Sequence, residues 1–240
     1  MKLKELGARI LHAISVPRCI SCKERLSYGE KAFCESCYAV FCEAKTRNCA
    51  KCARPLPECF CTNDHLKAHF VKGLSKLYRY LPNKEVGAPE NLLIYALKRE
   101  EREDVVVRCA VELRAAISNS LTIDEGFVFT NVPRRRDAVL NFGTDHAARL
   151  AKCLAKSFGV KYVSLLKSRA RRPQKRLDRI ERLKNAKFFI KRPIDLTGKS
   201  VIIVDDVVTS GSSMGAAATL VRSLGTKKIY GACLGIAYRD

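Results

Sequence analysis

The chain has 240 residues, 47% of them apolar, which suits one medium globular domain plus a small one. Its 45 Lys and Arg against 24 Asp and Glu give a formal charge of +21, favouring polyanionic partners: nucleic acid, phosphorylated small molecules or an acidic protein. No run of about eighteen apolar residues occurs, which excludes an ordinary helical membrane span.

The first sixteen residues place Leu3, Leu6, Ile10 and Ile14 near helical spacing, interrupted by Lys2, Lys4, Glu5, Arg9 and His12. That pattern predicts an amphipathic helix docked on the protein, without the continuous apolar core of a secretion signal, and a cytoplasmic location.

Nine of the twelve cysteines then fall between Cys19 and Cys61. This asymmetry predicts a boundary in the sixties, with a cysteine-rich module over 1–65 and an α/β domain over 66–240. The module is too short of apolar mass to make a core alone and needs a staple. Cys19-x₂-Cys22 pairs with Cys34-x₂-Cys37, and Cys49-x₂-Cys52 is followed by Cys59-x-Cys61. A Cys-x₂-Cys turn lets two sulfurs converge on one ion, and two such turns make a closed, structural Zn²⁺ site. The alternative is a disulfide framework, which the lack of a secretion signal disfavours. One or two zinc ions are expected, and in the second site His65 or His69 are alternative ligands. Cys42 is left over as a small buried side chain.

Leu66 to Tyr80 carries apolar and aromatic residues into the next unit, and Leu81-Pro82-Asn83 reads as a turn. From there the pattern alternates. Helices are predicted over Leu92–Lys98, Val105–Ile117, Asp145–Phe158 (stopped by Gly159) and Ser213–Leu224 (closed by Gly225). Strands are predicted over Gly126–Val132, Lys161–Leu166, Ser200–Val204 and Lys228–Ile236, with Phe188 and Phe189 as a further strand core. Such alternation predicts a mostly parallel sheet flanked by helices.

The most informative stretch is Val201-Ile202-Ile203-Val204-Asp205-Asp206-Val207-Val208-Thr209-Ser210-Gly211-Ser212-Ser213. A buried strand delivers two carboxylates to its C-terminal edge, where open α/β sheets bind ligands. Hydroxyls around one glycine then open a helix, whose free N–H groups make a phosphate site. Carboxylates beside a phosphate need another task, and holding ribose hydroxyls, directly or through Mg²⁺, is the natural one. An ordinary capped strand–turn–helix would use one carboxylate and one hydroxyl, not two and four.

These thirteen residues resemble the phosphoribosyl-pyrophosphate signature of the type I phosphoribosyltransferases. The resemblance implies that Asp205 and Asp206 hold the ribose and act catalytically, and that the loop Val207, Val208, Thr209, Ser210, Gly211, Ser212 and Ser213 surrounds its 5′-phosphate. It places a pyrophosphate loop at Pro133, Arg134, Arg135 and Arg136, with Arg169 and Gln174 nearby, and implies Mg²⁺ as the metal of the bound phosphoribosyl pyrophosphate.

The order of features further resembles the ComF family of competence-associated proteins. Its marks are Pro17-Arg18-Cys19-Ile20-Ser21-Cys22, Leu93-Ile94-Tyr95-Ala96-Leu97-Lys98, Val132-Pro133, Gly143-Thr144-Asp145-His146, and the series Arg169, Gln174, Arg182, Asn185 and Phe188. That likeness implies a protein that binds single-stranded DNA during natural transformation, with the helicase and recombination proteins of competence as partners. The other reading is an active phosphoribosyltransferase acting on a base or small nucleophile. His146, after an aspartate at a helix start, reads as a capping or packing residue.

The segment 167–192 is strongly basic. It includes Arg171, Arg172, Lys175, Arg176, Arg179 and Arg182, against only Asp178 and Glu181. It is expected to clamp pyrophosphate, to track a nucleic-acid backbone, or to be a solvated face.

Overall fold

The structure, a computed structural model, describes residues 17–81, 89–134, 145–168 and 188–237. The predicted N-terminal helix, Arg135 and Arg136, and the nucleic-acid candidates Arg171, Arg172, Lys175, Arg176, Arg179 and Arg182, with Arg169 and Gln174, lie outside the described residues.

In chain order the elements are α1 (Glu35–Ala44), a 3₁₀ turn (Leu56–Glu58), α2 (Asp64–Ala68), β1 (Val71–Ser75), β2 (Tyr78–Arg79), α3 (Pro89–Arg99), α4 (Glu103–Ser118), β3 (Phe127–Asn131), α5 (His146–Phe158), β4 (Lys161–Tyr162), β5 (Leu166–Ser168), β6 (Phe188–Ile190), β7 (Ser200–Val208), α6 (Ser212–Arg222) and β8 (Lys228–Ile236). Six strands form one parallel sheet in the order β1-β8-β7-β3-β4, with β2 also on β8. β5 and β6 pair antiparallel as a separate ribbon. None of the helices among the described residues is long and apolar enough to cross a membrane.

A parallel sheet is covered on both faces, so its central strands must be apolar at every position rather than at alternate ones. β7 and β8 have that composition. Alternation then sorts their side chains between two cores. Ile202, Val204, Ala232 and Leu234 join Phe129 and the inner faces of α3, α4 and α5. Val201, Ile203 and Ile229 join Met214, Ala217 and Val221 of α6 on the other side. The cysteine-rich residues feed both cores: Cys19, Ile20, Phe33 and Phe41 enter the first, Cys49, Leu56 and Cys59 the second. Both cores therefore run across position 65.

Local signals account for the helix ends. Asp145 caps α5 by accepting from the Ala148 amide at 3.0 Å, and Gly159 stops it in the left-handed conformation at φ 71°. The strand predicted over Lys161–Leu166 is two strands, because the chain leaves the sheet after Tyr162 and re-pairs with β6. The run predicted to end at Val204 continues to Val208, since β8 continues beside it with Val207 opposite Gly235 and Val208 opposite Ile236. Both aspartates therefore lie within the strand.

Candidate functional site

The end of β7 and the start of α6 enclose a cavity of 270 Å³ lined by Asp205, Val207, Val208, Thr209 to Ser213 and Met214. Gly211 turns the chain at φ 85°, in the left-handed region where glycine carries no steric penalty. A Cβ there would also meet Leu66 Cγ at 2.9 Å. No side chain caps α6. Its first residues, Ser212, Ser213 and Met214, line the cavity, and the Ser212 N–H donates to Ser210 Oγ at 3.3 Å. Hydroxyls of Ser210 and Ser212 lie 2.8 Å apart. Unsatisfied helix N–H groups together with hydroxyl donors form an anion site. Asn63, which caps α2, donates to the Ser210 carbonyl at 3.2 Å, so the segment after the cysteines braces this loop.

The two aspartates leave the strand in different directions. Asp205 lines the cavity. Asp206 turns toward α3 and α5, where its Oδ2 accepts from His146 Nε2 at 2.7 Å and Lys98 Nζ at 3.0 Å. Arg134 Nη1 lies 3.0 Å from His146 Nδ1. A guanidinium only donates, so Nδ1 accepts and the imidazole proton sits on Nε2, aimed at Asp206. Burial raises the Asp206 pKa, but the His146 hydrogen bond and the Lys98 charge outweigh it and hold the carboxyl well below the usual range. Asp205 goes the other way: burial, then the charge of Asp206, push it well above. Such a split between neighbouring carboxylates is a mark of functional sites.

Arg134 is itself held in place. Its backbone N–H donates to Asp145 Oδ2 at 3.3 Å, which also accepts from Asn131 Nδ2 at 3.2 Å, while Tyr162 donates to Asn131 Oδ1 at 2.8 Å. Arg134 borders a second cavity of 300 Å³ with Pro133, Ser164, Lys167 and Lys191. Ser168 at the end of β5 lines it as well. Arg134 thus reaches Asp206 through His146, and Pro133 and Arg134 line a cavity separate from the one at Asp205. Lys98 and His146 were not singled out as site residues from sequence; the Leu93–Lys98 and Gly143–His146 motifs were their only signal.

The eight cysteines form two quartets, Cys19, Cys22, Cys34, Cys37 and Cys49, Cys52, Cys59, Cys61, each with its sulfurs within 4.8 Å of one another. A zinc tetrahedron with Zn–S bonds of about 2.3 Å needs sulfurs roughly 3.8 Å apart, and Cys22 and Cys34 Sγ already lie 3.6 Å apart. The two leading turns share one geometry. Lys23 and Ala53, just after each Cys-x₂-Cys, take positive φ of 66° and 56°. The amides of Lys23 and Ala53 return to the carbonyls of Cys19 and Cys49 at 3.1 and 2.9 Å. The Ser36 hydroxyl and Cys37 amide lower Cys34 to about 6, and the Arg54 amide lowers Cys52 to about 7, so each quartet holds a thiol disposed to ionise. All twelve cysteines are free. Both quartets fit closed tetrahedral zinc. His69 is occupied elsewhere, with Nδ1 2.9 Å from Thr219 Oγ1 on α6.

Parts of the chain are similar to known proteins. Residues 144–237 match the family model of the phosphoribosyl transferase domain. The chain resembles ribose-phosphate pyrophosphokinase of Thermococcus kodakarensis, 54% identical over 37 residues, which span 15% of this chain and 13% of that protein. It resembles the Pyrococcus abyssi enzyme of the same name at 31% identity over 84 residues, 35% of this chain and 25% of that one. The matches thus span a quarter or less of these relatives' lengths. Among solved structures, a purine phosphoribosyltransferase from Pyrococcus horikoshii aligns with 55% of this chain and 72% of its own, at TM-score 0.36 and 21% identity. The parallel sheet flanked by helices, together with the domain match over residues 144–237, is the type I phosphoribosyltransferase fold. Residues 144–237 are thus similar to the phosphoribosyl transferase domain, and cysteine quartets fit for zinc lie in the segment before them.

Proposed function

We propose that the protein binds Mg²⁺-complexed phosphoribosyl pyrophosphate and handles single-stranded DNA in natural transformation. One observation carries the first half: the uncapped start of α6 opens, with Asp205, onto a single cavity. In this reading the amides and hydroxyls of Thr209 to Ser213 hold the 5′-phosphate. Asp205 faces the ribose hydroxyls and is the carboxylate available to the metal. Asp206, charge-paired by Lys98 and hydrogen-bonded by His146, fixes the shape of the strand end and positions His146 and Arg134. Arg134, with Lys98 near it, supplies positive charge for the pyrophosphate.

When bound, Mg²⁺ would neutralise charge building on departing pyrophosphate. Displacement at an anomeric carbon through an oxocarbenium-like state asks for electrostatic stabilisation rather than a strong base. His146 suits that demand, since both its nitrogens are engaged in positioning.

The charge of +21 and the basic run within 167–192 support the nucleic-acid half, together with the ComF resemblance. The competence helicase and recombination proteins are the partners this reading names. Its test is a titration of labelled single-stranded DNA with zinc-loaded protein, with and without Mg²⁺–phosphoribosyl pyrophosphate. The expected result is salt-dependent binding whose affinity shifts with the sugar phosphate. Absence of DNA binding at moderate salt would remove the DNA-handling role and leave a transferase acting on a small nucleophile as the better account.

A further inference from the structure

Lys76 follows β1 and is fully buried, at 0% exposure. Its Nζ donates to the Cys61 carbonyl at 2.7 Å, to Cys59 Sγ at 3.2 Å, and to the carbonyls of Leu74 and Cys59 at 3.3 and 3.4 Å. No ion pair joins it to an Asp or Glu among the described residues. Backbone carbonyls satisfy an ammonium's hydrogen bonds but not its charge, and burying an ammonium without a counter-charge is costly. The sulfur it touches belongs to the second cysteine quartet. Four thiolates around one Zn²⁺ form a dianion, which is the missing counter-charge. The quartet also takes backbone N–H···S contacts, from the Lys51 amide to Cys49 and the Cys61 amide to Cys59, both at 3.4 Å, and from the Arg54 amide to Cys52, but these are neutral dipoles.

We infer that Lys76 is the buried counter-ion of a zinc tetrathiolate at Cys49, Cys52, Cys59 and Cys61, and that it ties the edge of the parallel sheet to zinc occupancy. The inference rests on zinc filling this second quartet. Lys76 sits in the break between β1 and β2, where the Leu77 amide donates to the Leu234 carbonyl of β8 at 3.0 Å. Zinc loss would strand the ammonium among neutral thiols directly behind that edge. The edge in turn meets β8 throughout, with Leu74 opposite Gly231 and Tyr78 opposite Gly235.

The test uses the full chain with zinc counted per molecule. Zinc transfer to a chromogenic chelator is followed for wild type and Lys76→Met, the second-quartet phase being assigned with Cys52→Ser. Removal of a partner that hydrogen-bonds a metal ligand typically weakens metal binding about 10- to 100-fold, so that phase should accelerate by this order while the first quartet's phase is unchanged. A second measurement needs no variant: in wild-type protein labelled with ¹⁵N-lysine, one ammonium resonance should resist solvent exchange and vanish on zinc removal. Two zinc ions per chain with equal release rates, or with no protected ammonium, would overturn the role of Lys76 alone. A single zinc ion, held by the first quartet, would overturn the second zinc site and the inference with it.

Discussion

Asp205 and Asp206 are adjacent, identical in chemistry and opposite in environment. Asp206 has three donor partners within 3.0 Å, His146, Lys98 and the Val207 amide, while Asp205 accepts from the Asp206 amide at 2.9 Å and meets no cation at that range among the described residues. A carboxyl whose folded pKa lies below its unfolded value stabilises the fold above the unfolded pKa, and this is lost as pH falls through the folded value. Asp206 is of that kind. Asp205 has the reverse sign: its folded pKa is raised, so ionising it costs stability as pH rises through that value. Replacing each by asparagine should therefore move stability in opposite senses at neutral pH. Asp206→Asn should lose about 2–3 kcal/mol, the scale for hydrogen bonds to a charged partner, because Lys98 and His146 lose the anionic charge of their shared acceptor. Asp205→Asn should unfold at equal or higher urea concentration than wild type, which is the expected cost of a group kept for binding rather than stability. Urea titration of the two variants checks this, and two equal losses would contradict it.

At the scale of elements, the first quartet is moored to the α/β core by Asp104 at the start of α4. Its Oδ2 accepts from the Ala32 amide at 2.9 Å and from Arg102 Nη2 at 2.7 Å, and Arg102 also donates to the Arg18 carbonyl at 2.8 Å. Burial raises the Asp104 pKa, but the Arg102 hydrogen bond and the Ala32 amide outweigh it and leave it lowered. Its stabilisation is thus complete above the unfolded pKa of about 3.9 and disappears as pH falls through the lower folded value. Asp104→Asn should cost about 1–2 kcal/mol near neutral pH, the range for a charged hydrogen bond partly screened by solvent. The gap from wild type should close below about pH 4. Zinc release in acid is common to both proteins and cancels in that difference. A gap independent of pH would contradict the assignment.

Elements were legible in the sequence where a single residue ends them. Gly159 and Asp145 bound α5 in both, and β8 spans Lys228–Ile236 as its unbroken apolar run predicts. The end of β7 was not legible, because carboxylates suggest a loop and only pairing with β8 keeps Val207 and Val208 in the strand. β1 and β2 were missed for a related reason: Gly73 and Lys76 disguise an edge whose burial comes from Phe60 and the second quartet.

Across the whole molecule, separate parts of the chain meet at one strand end. Lys98, Arg134, His146 and Asp206 come from four elements or loops, and His146 and Asp206 are 60 residues apart. No local pattern encodes such a meeting, which is why the candidate loop after β7 could be picked out of thirteen consecutive residues while the cations around Asp206 could not. The cysteine quartets were legible for the opposite reason, since metal-ligand spacing is a local property. Their integration was not: they fill both cores of the sheet, and Asn63 and Leu66, just beyond Cys61, press on the loop at Ser210 and Gly211.

The most direct test is a calorimetric titration of the zinc-loaded protein with phosphoribosyl pyrophosphate in the presence of Mg²⁺, repeated with Asp205→Asn. The account predicts saturable binding of one ligand per chain in the wild type and its loss in the variant, with the variant still folded. A folded, zinc-loaded wild type that takes up no ligand, or a variant that binds equally well, would contradict the assignment of the cavity at Asp205 to Ser213.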